Sequence, residues 1–432
     1  MADAPSSAPK TQSSRRDFLK HSTAAVVTGA VASNLFLSRS AHAAGSDVLK
    51  LGLIGCGGRG SGAVGNALAA DPNLKLVAVA DAFADRLQGS LSAMTAANPD
   101  KIEVTPERSF VGFDAYQKLL ATDVDVVILA TPPHFRPAHL KAAIASGKHV
   151  FCEKPVAVDA PGVRSVLETT EEARKKNLSI VSGLCYRYER SKNELVSRVR
   201  DGAIGDIRAI QVSYNTGTLW HHGRKPEWSE MEYQLRNWLY FTWLSGDFNV
   251  EQHVHSLDKA AWVMGDEPPV RATGLGGRQV RVESQWGNIF DHFAVVYEYA
   301  NGTKLFAQCR QMAGCSIDVS DHLMGTKGTA EMMKAAIEGE NAWRYHGPKT
   351  NMYEDEHKAL FGGIRSGNPL NNGIYMARST MLAIMGRMAA YTGQTLTWDQ
   401  CLNSIEDLTP KRYEWGDLPL APVAKPGLSQ FV

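Results

Sequence analysis

The sequence predicts an α/β protein in which an N-terminal domain with a parallel sheet precedes an α+β domain with a large, mostly antiparallel open sheet. From residue 49 to about residue 187, apolar runs alternate with stretches of helical periodicity, as expected for repeated strand–helix–strand units. Beyond residue 187 the runs alternate apolar and polar residues. Asn301-Gly302 lies between two of these runs and is a hairpin signal.

Composition limits the possible classes of protein. The chain has 432 residues, of which 44% are hydrophobic and 21% are charged. These values are ordinary for a globular protein of two or three domains. The net charge is +1 and no long basic run is present, so nothing favours nucleic acid as a partner. The six cysteines form no C-x-x-C pair, and we expect them to be buried free thiols.

Residues 1–43 are predicted to be an export signal. The stretch S-R-R-D-F-L-K, residues 14–20, resembles the twin-arginine signal, and a short, weakly apolar run and an Ala-x-Ala site ending at Ala43 follow it. The apolar run is too short to predict a membrane span. The resemblance implies that the twin-arginine machinery carries the folded protein to the periplasm or another exported location.

A glycine loop opens the first domain. The strand run V-L-K-L-G-L-I is followed by G-C-G-G-R-G at residues 55–60, then by a helical stretch, and Asp81 ends the next strand. This is the dinucleotide fingerprint in its strand–turn–helix context. The Asp81 carboxylate would bind the ribose hydroxyls and repel a 2′-phosphate, which favours NAD, while Arg59 and Arg86 leave NADP possible.

The predicted cofactor-binding residues lie on the loop and at the carboxyl ends of later strands, where ligands bind such sheets. They are Gly55, Gly57, Gly58, Arg59, Gly60, Asp81, Thr131, Pro132, Glu153 and Lys154. We therefore expect a Rossmann NAD-binding domain over residues 44–187 and a substrate and oligomerisation domain over residues 188–432.

A second motif indicates the family. Gly147-Lys148-His149-Val150, followed by Glu153-Lys154-Pro155, resembles the G-K-H-V-x-x-E-K-P signature of the Gfo/Idh/MocA oxidoreductases, which include glucose–fructose oxidoreductase and inositol dehydrogenases. The resemblance covers nearly all of the mature chain. It implies that Lys154 lies at the nicotinamide and assists proton transfer, and that the protein is a homo-oligomer, a dimer or tetramer. The position of Lys154 agrees with this implication, because a lysine at the carboxyl end of a sheet strand lies between cofactor and substrate.

The family's Asp-x-Gly-x-His signature is altered here. Glu251 stands at the aspartate position, His253 at the glycine position and His255 at the histidine position. We predict that Lys154, His255 and Glu251 are catalytic, with His255 as the base and Glu251 as an orienting or substrate-binding group. The spacing permits a metal site, but the family generally needs no metal and none is predicted.

An aromatic segment at residues 218–247 holds four of the nine tryptophans, interleaved with Arg, His and Asn. Aromatic faces and polar groups of this kind suit a sugar, although the same rings would suit a core or a subunit interface. The predicted substrate contacts, drawn from this segment and from the pocket edge, are Tyr186, Arg187, Trp220, Arg236, Trp238 and His253.

These features together favour an exported oxidoreductase that acts on a sugar or polyol CH–OH group and holds its NAD tightly, because the periplasm has no nicotinamide pool for exchange. An alternative is an NAD-dependent glycosidase or lyase that oxidises the sugar transiently, as in glycoside hydrolase family 109. A third hypothesis is a non-catalytic, NAD-bound sugar-binding protein, against which Lys154 and His255 argue.

Overall fold

A computed structural model describes residues 47–432. The predicted twin-arginine signal, residues 1–43, lies outside this range. Within the described range, every helix is too short or too polar to cross a membrane.

The N-terminal domain is built on a six-stranded parallel sheet with the order β3-β2-β1-β4-β5-β6. Three strands lie on each side of the point where the strand order reverses, between β1 and β4. A ligand site is expected there, at the carboxyl ends of the strands. The strands are β1 (Leu49–Ile54), β2 (Leu74–Asp81), β3 (Ser109–Val111), β4 (Val126–Leu129), β5 (His149–Cys152) and β6 (Ile180–Ser182).

Helices connect these strands. They are α1 (Gly58–Ala70), α2 (Ala84–Ala97), α3 (Ala115–Leu120), α4 (Arg136–Ala145) and α5 (Ala160–Lys175). Helix α5 is representative of how the sequence sets their ends. The Asp159 side chain accepts a hydrogen bond from the backbone of Gly162 at its start, and Arg174 and Lys175 lie in its last turn, where cations interact favourably with the helix dipole.

The C-terminal domain contains a nine-stranded sheet with the order β14-β13-β12-β11-β7-β10-β9-β8-β15. All neighbouring strands are antiparallel except β7 and β10. The strands are β7 (Ile207–Thr216), β8 (Arg271–Gly277), β9 (His292–Glu298), β10 (Lys304–Gln311), β11 (Asp318–Gly325), β12 (Gly328–Glu331), β13 (Ala336–Gly339), β14 (Trp343–Arg344) and β15 (Leu396–Thr397). Asn301-Gly302 forms the predicted hairpin between β9 and β10, with Gly302 at a φ of +87°. The predicted fold class is confirmed.

Helices of the C-terminal part pack on this sheet and on the first domain. They are α6 (Arg190–Arg200), α7 (Glu230–Arg236), α8 (Thr242–Ser245), α9 (Phe248–Glu251), α10 (Val254–Val263), α11 (Met352–Arg365), α12 (Gly373–Thr392) and α13 (Trp398–Leu402). Helix α12 packs against β8 and against α5, and α11 returns to the first domain and packs against α1. The two domains therefore share a continuous core.

Candidate active site

The glycine loop between β1 and α1 has the backbone that a pyrophosphate requires. Gly55 has a φ of +103°, and a Cβ there would lie 2.6 Å from the backbone of Ala130. A Cβ on Gly60 would lie 2.0 Å from the Gly55 carbonyl oxygen. Gly57 and Gly58 instead have open space where a Cβ would project, and they line a cleft. Gly55 and Gly60 therefore close the turn, and Gly57 and Gly58 expose their backbone to a ligand.

The N-terminus of α1 faces the same cleft. Gly57 is its N-cap residue and no side chain caps it, so the N–H groups of the first turn have no partner within the helix. Free N–H groups and the positive end of the helix dipole bind phosphate oxygens. The loop and the helix therefore fit the pyrophosphate of a dinucleotide.

Asp81 ends β2 beside this loop. Its Oδ2 accepts a hydrogen bond from the Cys56 backbone N–H at 2.7 Å, and its Oδ1 accepts one from the Phe83 N–H at 2.8 Å. Burial raises the pKa of this carboxyl, while the two N–H groups and Arg86 oppose that rise. Each carboxylate oxygen can accept a further hydrogen bond, so the fixed carboxylate fits ribose hydroxyls.

Arg59 ties the glycine loop to the turn after β5. Its Nε lies 2.7 Å from Oε1 of Glu153, and its guanidinium lies 5.2 Å from the ring centroid of Tyr353 on α11. The side chain of Glu153 is only 6% exposed, so Arg59 is the main partner that balances its negative charge. The contact fixes the residue before Lys154 relative to the cofactor cleft.

Lys154 and Glu251 meet across the two domains. The Lys154 Nζ donates to the Glu251 carboxylate at 2.9 Å and to the Glu251 carbonyl oxygen at 2.5 Å. Both side chains are 14% exposed. The pairing holds the ammonium at the carboxyl end of β5, next to the loop that Arg59 fixes.

His255 lies on α10 beside this pair. Its Nδ1 is enclosed and has no hydrogen-bond partner among residues 47–432. Burial, with the nearby cations of Lys154 and Lys259, holds the pKa of the imidazole well below its ordinary value. The ring is therefore neutral near pH 7 and can accept a proton.

Tyr186 is the predicted substrate contact that the structure places next to this group. Its ring stands edge-on to His255, with 5.7 Å between ring centroids. The Lys259 ammonium lies 4.3 Å from the centroid of the same ring. Tyr186 thus forms one side of the space around the imidazole.

Arg187 and His253, also predicted to touch substrate, are engaged elsewhere. The Arg187 guanidinium, 8% exposed, binds Asp258 and Asp266. His253 has no exposed surface, its Nδ1 lies 3.1 Å from Asn249 Oδ1, and burial lowers its pKa to about 3. A substrate contact by either side chain has no support in this geometry, because the first is saturated and the second is enclosed.

Trp220, Arg236 and Trp238 lie on the cofactor cleft. With His222 and Leu235 they line a cavity of about 480 Å³ whose other walls include Gly57, Asp81 and Thr131. The aromatic segment predicted to bind a sugar therefore faces the dinucleotide-binding loop. Thr131 and Pro132 line the same cavity, as the cofactor prediction requires.

Arg136 and the pair of Lys259 and Asp321 are site residues absent from the predicted set. Arg136, 5% exposed, donates from Nε to the Thr131 carbonyl at 2.9 Å and from Nη1 to the Pro155 carbonyl at 2.6 Å. It thereby joins the turns after β4 and β5. Lys259 and Asp321 form an ion pair with both side chains 1% exposed. The four-residue spacing of His255 and Lys259 on a helix was an available signal for Lys259.

The cysteines and the E-x-H-x-H motif form no metal centre in the described part of the chain. All six cysteines are free thiols, and five of them are buried. No three His, Cys, Asp or Glu side chains among residues 47–432 are grouped to hold a metal ion. The glutamate and histidines of the motif have the separate contacts given above.

A dinucleotide cleft at the strand-order reversal, with ionisable side chains at its edge, places the protein among the NAD-binding oxidoreductases. More narrowly, the chain belongs to the Gfo/Idh/MocA family. A family model described as the oxidoreductase family's NAD-binding Rossmann fold matches residues 49–181, and the GFO/IDH/MocA C-terminal domain model matches residues 193–331.

Curated and solved relatives agree with this assignment. Inositol 2-dehydrogenase of Rhizobium meliloti is 24% identical over 65% of this chain and 74% of its own length. A glycosyl hydrolase family 109 protein of Streptomyces coelicolor is 31% identical, over 37% of this chain and 32% of its own length. The crystal structure of aldose-aldose oxidoreductase from Caulobacter crescentus has a similar fold. The match spans 81% of this chain and 99% of that one, with a TM-score of 0.62 at 17% identity.

Proposed function

We propose that the protein is an exported oxidoreductase that removes hydride from a CH–OH group of a sugar or polyol and retains its NAD between turnovers. The observation that carries the proposal is the contact of Lys154 with Glu251 at 2.9 Å, beside a neutral His255 and next to the dinucleotide cleft. Oxidation of an alcohol needs a hydride acceptor and a base for the hydroxyl proton, and bound nicotinamide would supply the first.

The residues divide the proton chemistry between them. His255 accepts the hydroxyl proton as hydride leaves the carbon, because its enclosed imidazole is neutral. Lys154 donates a hydrogen bond to the hydroxyl oxygen and fixes its position. Glu251 holds the ammonium in place through its carboxylate and its carbonyl oxygen.

A polyhydroxylated substrate is favoured by the relatives. The inositol 2-dehydrogenase aligns over most of its length, and the name of the structural neighbour indicates action on aldoses. Retention of NAD follows from the twin-arginine-like segment, since an exported enzyme cannot draw on the cytoplasmic pool. Asp81 favours NAD, and Arg86 beside it leaves NADP possible.

A redox-assisted glycosidase or lyase is the second candidate. The similarity to a glycosyl hydrolase family 109 protein favours it. A transient ketone would make the neighbouring C–H acidic, so that His255 could remove that proton before hydride returns. A non-catalytic sugar-binding protein is the third candidate and would leave the arrangement of Lys154 and His255 without a purpose.

We also propose that the outer face of the nine-stranded sheet forms a dimer or tetramer contact. Leu275 on β8 is 75% exposed and Phe306 on β10 is 45% exposed. Apolar side chains exposed on one sheet face are typical of an interface. Light scattering on the protein and on a Phe306→Glu variant would give the mass; a monomeric wild type would contradict this part of the proposal.

The first test asks whether the purified exported protein contains NAD and whether a sugar or polyol reduces it. We expect denaturation to release NAD, detected by mass spectrometry, and we expect a sugar or polyol to reduce the bound cofactor in a single turnover, followed by its absorbance band. Cleavage of aryl glycosides without net reduction would favour the glycosidase. Failure to bind NAD or NADP would overturn both enzymatic proposals.

Variants test the assigned roles. Lys154→Ala and His255→Ala should lower turnover by about 10²- to 10⁴-fold, the usual contribution of a positioned acid or base, while NAD binding persists. Lys141→Ala and His346→Ala, which replace exposed residues of the same types, are the matched controls. Equal turnover in site and control variants would refute the assignment.

A further inference from the structure

The cofactor cleft is closed by a segment of the second domain. Its floor is formed by the glycine loop and Asp81, and its outer wall by Trp220, His222, Leu235, Arg236 and Trp238. We call Trp220, His222, Arg236 and Trp238 the cover. All of them belong to the aromatic segment between β7 and β8, far along the chain from the loop they face.

The cover binds the residues that follow Asp81. Arg236 donates from Nη1 and Nη2 to the two carboxylate oxygens of Asp85 at 3.0 and 3.1 Å. Its guanidinium also lies 4.2 Å from the ring centroid of Phe83. His222 Nε2 lies 3.2 Å from an Arg86 Nη2. Residues 83–86 adjoin the predicted ribose-binding acid, so these contacts are at the adenosine end of the cleft.

Neighbouring residues of the same segment hold the cover in place. The Asn237 side chain accepts from the His222 N–H at 2.8 Å and donates to the His222 carbonyl at 3.1 Å. The Tyr240 hydroxyl donates to the Trp220 carbonyl at 2.9 Å, and the rings of Trp220 and Trp238 are 6.1 Å apart. The four side chains therefore face the cleft as a preorganised surface.

The chain's last segment supports two further aromatic residues of the cleft lining. Trp415 lies 5.3 Å from Phe83 and 4.7 Å from Phe113 between ring centroids. Phe83 and Phe113 line the cleft. The aromatic rings in this lining suit a planar purine, since stacking on such rings is favourable.

We propose that the cover completes the adenosine site of the dinucleotide and that the Arg236–Asp85 ion pair controls the rate at which the dinucleotide leaves. This inference rests on the proposed retention of NAD. The side chain of Arg236 is 13% exposed whereas that of Asp85 is 63% exposed. The pair can therefore open toward solvent at the mouth of the cleft, and opening it removes the charged contact between the cover and Asp85.

Dissociation kinetics test the proposal. The full protein is loaded with NAD or with ADP-ribose, which lacks nicotinamide, and release is followed after dilution into excess unlabelled ligand. Arg236→Ala and Asp85→Asn should each release both ligands roughly tenfold faster, because loss of interface contacts acts mainly on dissociation. The charge-reversed pair Arg236→Asp with Asp85→Arg should recover slow release.

A matched control comes from the same segment. Arg224 pairs with Glu230 at 2.6 Å and is absent from the lining of the cleft, so Arg224→Ala should leave both release rates unchanged. Wild-type protein that binds neither ligand would contradict the proposed function itself. A different result would overturn only the proposed role of the cover. In that case the wild type binds both ligands, but Arg236→Ala and Asp85→Asn release them within twofold of the Arg224→Ala rate.

Discussion

At the scale of single residues, the charge around His255 determines what the imidazole can do. Lys154 lies on one side and Lys259 is a second nearby cation. The Lys259 ammonium pairs with Asp321 and lies against the Tyr186 ring. Both cations disfavour protonation of the ring, so His255 remains a base at pH values where an exposed histidine would be charged.

This environment predicts a shifted pH profile. Because the pKa of His255 lies well below its ordinary value of 6.5, the neutral base should persist as pH falls, and kcat/KM should decline only well below pH 6.5. The double variant Lys259→Met with Asp321→Asn removes the cation without leaving a buried carboxylate charge. The His255 pKa should then rise, and the acid limb of the profile should move up by about one pH unit.

The control for that measurement is Lys334→Met, which removes an exposed lysine that pairs with Glu331. Its profile should match that of the wild type. An acid limb that stays in place in the double variant would show that Lys259 does not act on His255.

Motif residues were the part of the site that could be predicted from the sequence. Gly55, Gly60 and Asp81 lie where the fingerprint requires, because their roles depend on local backbone geometry. Arg136 could not be identified in the same way. Its contacts join the carbonyls of Thr131 and Pro155, and that proximity exists only after β4 and β5 pair in the sheet.

At the scale of elements, the turn from β1 into α1 depends on one close approach. A methyl group at Gly60 would lie 2.0 Å from the Gly55 carbonyl oxygen, whereas one at Gly62 meets nothing within 4 Å. Both glycines lie in α1, but only Gly60 packs against the glycine loop.

We therefore expect opposite effects from the same substitution. Gly60→Ala should destabilise the fold by about 1–3 kcal/mol, as overpacking does, and should weaken NAD binding because the loop must shift. Gly62→Ala should be neutral or stabilising by up to about 1 kcal/mol, because alanine is the better helix former. Thermal unfolding and NAD titration of both variants check this; equal behaviour would contradict the packing argument.

The packing partner of the aromatic segment could not be predicted from the sequence. Its composition indicated a sugar-binding surface, with a core or a subunit interface as alternatives, and the choice depends on which element the segment packs against. That partner is the first turn of α2, through the ion pair of Arg236 with Asp85. No pattern within residues 218–247 specifies that pairing.

At the scale of the whole molecule, α11 joins the last third of the chain to the first domain. Arg365 at its end donates to both carboxylate oxygens of Asp71, at 2.6 and 3.0 Å. Asp71 is 5% exposed. Loss of the arginine would leave that carboxylate buried without its partner, which is costly.

Arg365→Leu should therefore lower the free energy of unfolding by about 2 kcal/mol, less than a fully buried pair would cost because the arginine is partly exposed. Adding Asp71→Asn should recover part of the loss, since no buried charge then remains. Lys358→Leu on the same helix, where the lysine is 51% exposed, should change stability by less than about 0.5 kcal/mol. Denaturant unfolding measures all three; equal losses from the two single variants would refute the role of the ion pair.

Arg59 lies against the Tyr353 ring, and Phe83 lies against Trp415. Each contact joins an early residue to a late one, so the cleft is completed only late in synthesis. The glycine loop leaves the ribosome long before either aromatic partner has been synthesised. A nascent first domain would offer the pyrophosphate turn with its surroundings incomplete, and contacts so distant in sequence form late in folding. We therefore expect stable loading with a dinucleotide only after nearly the whole chain has been made.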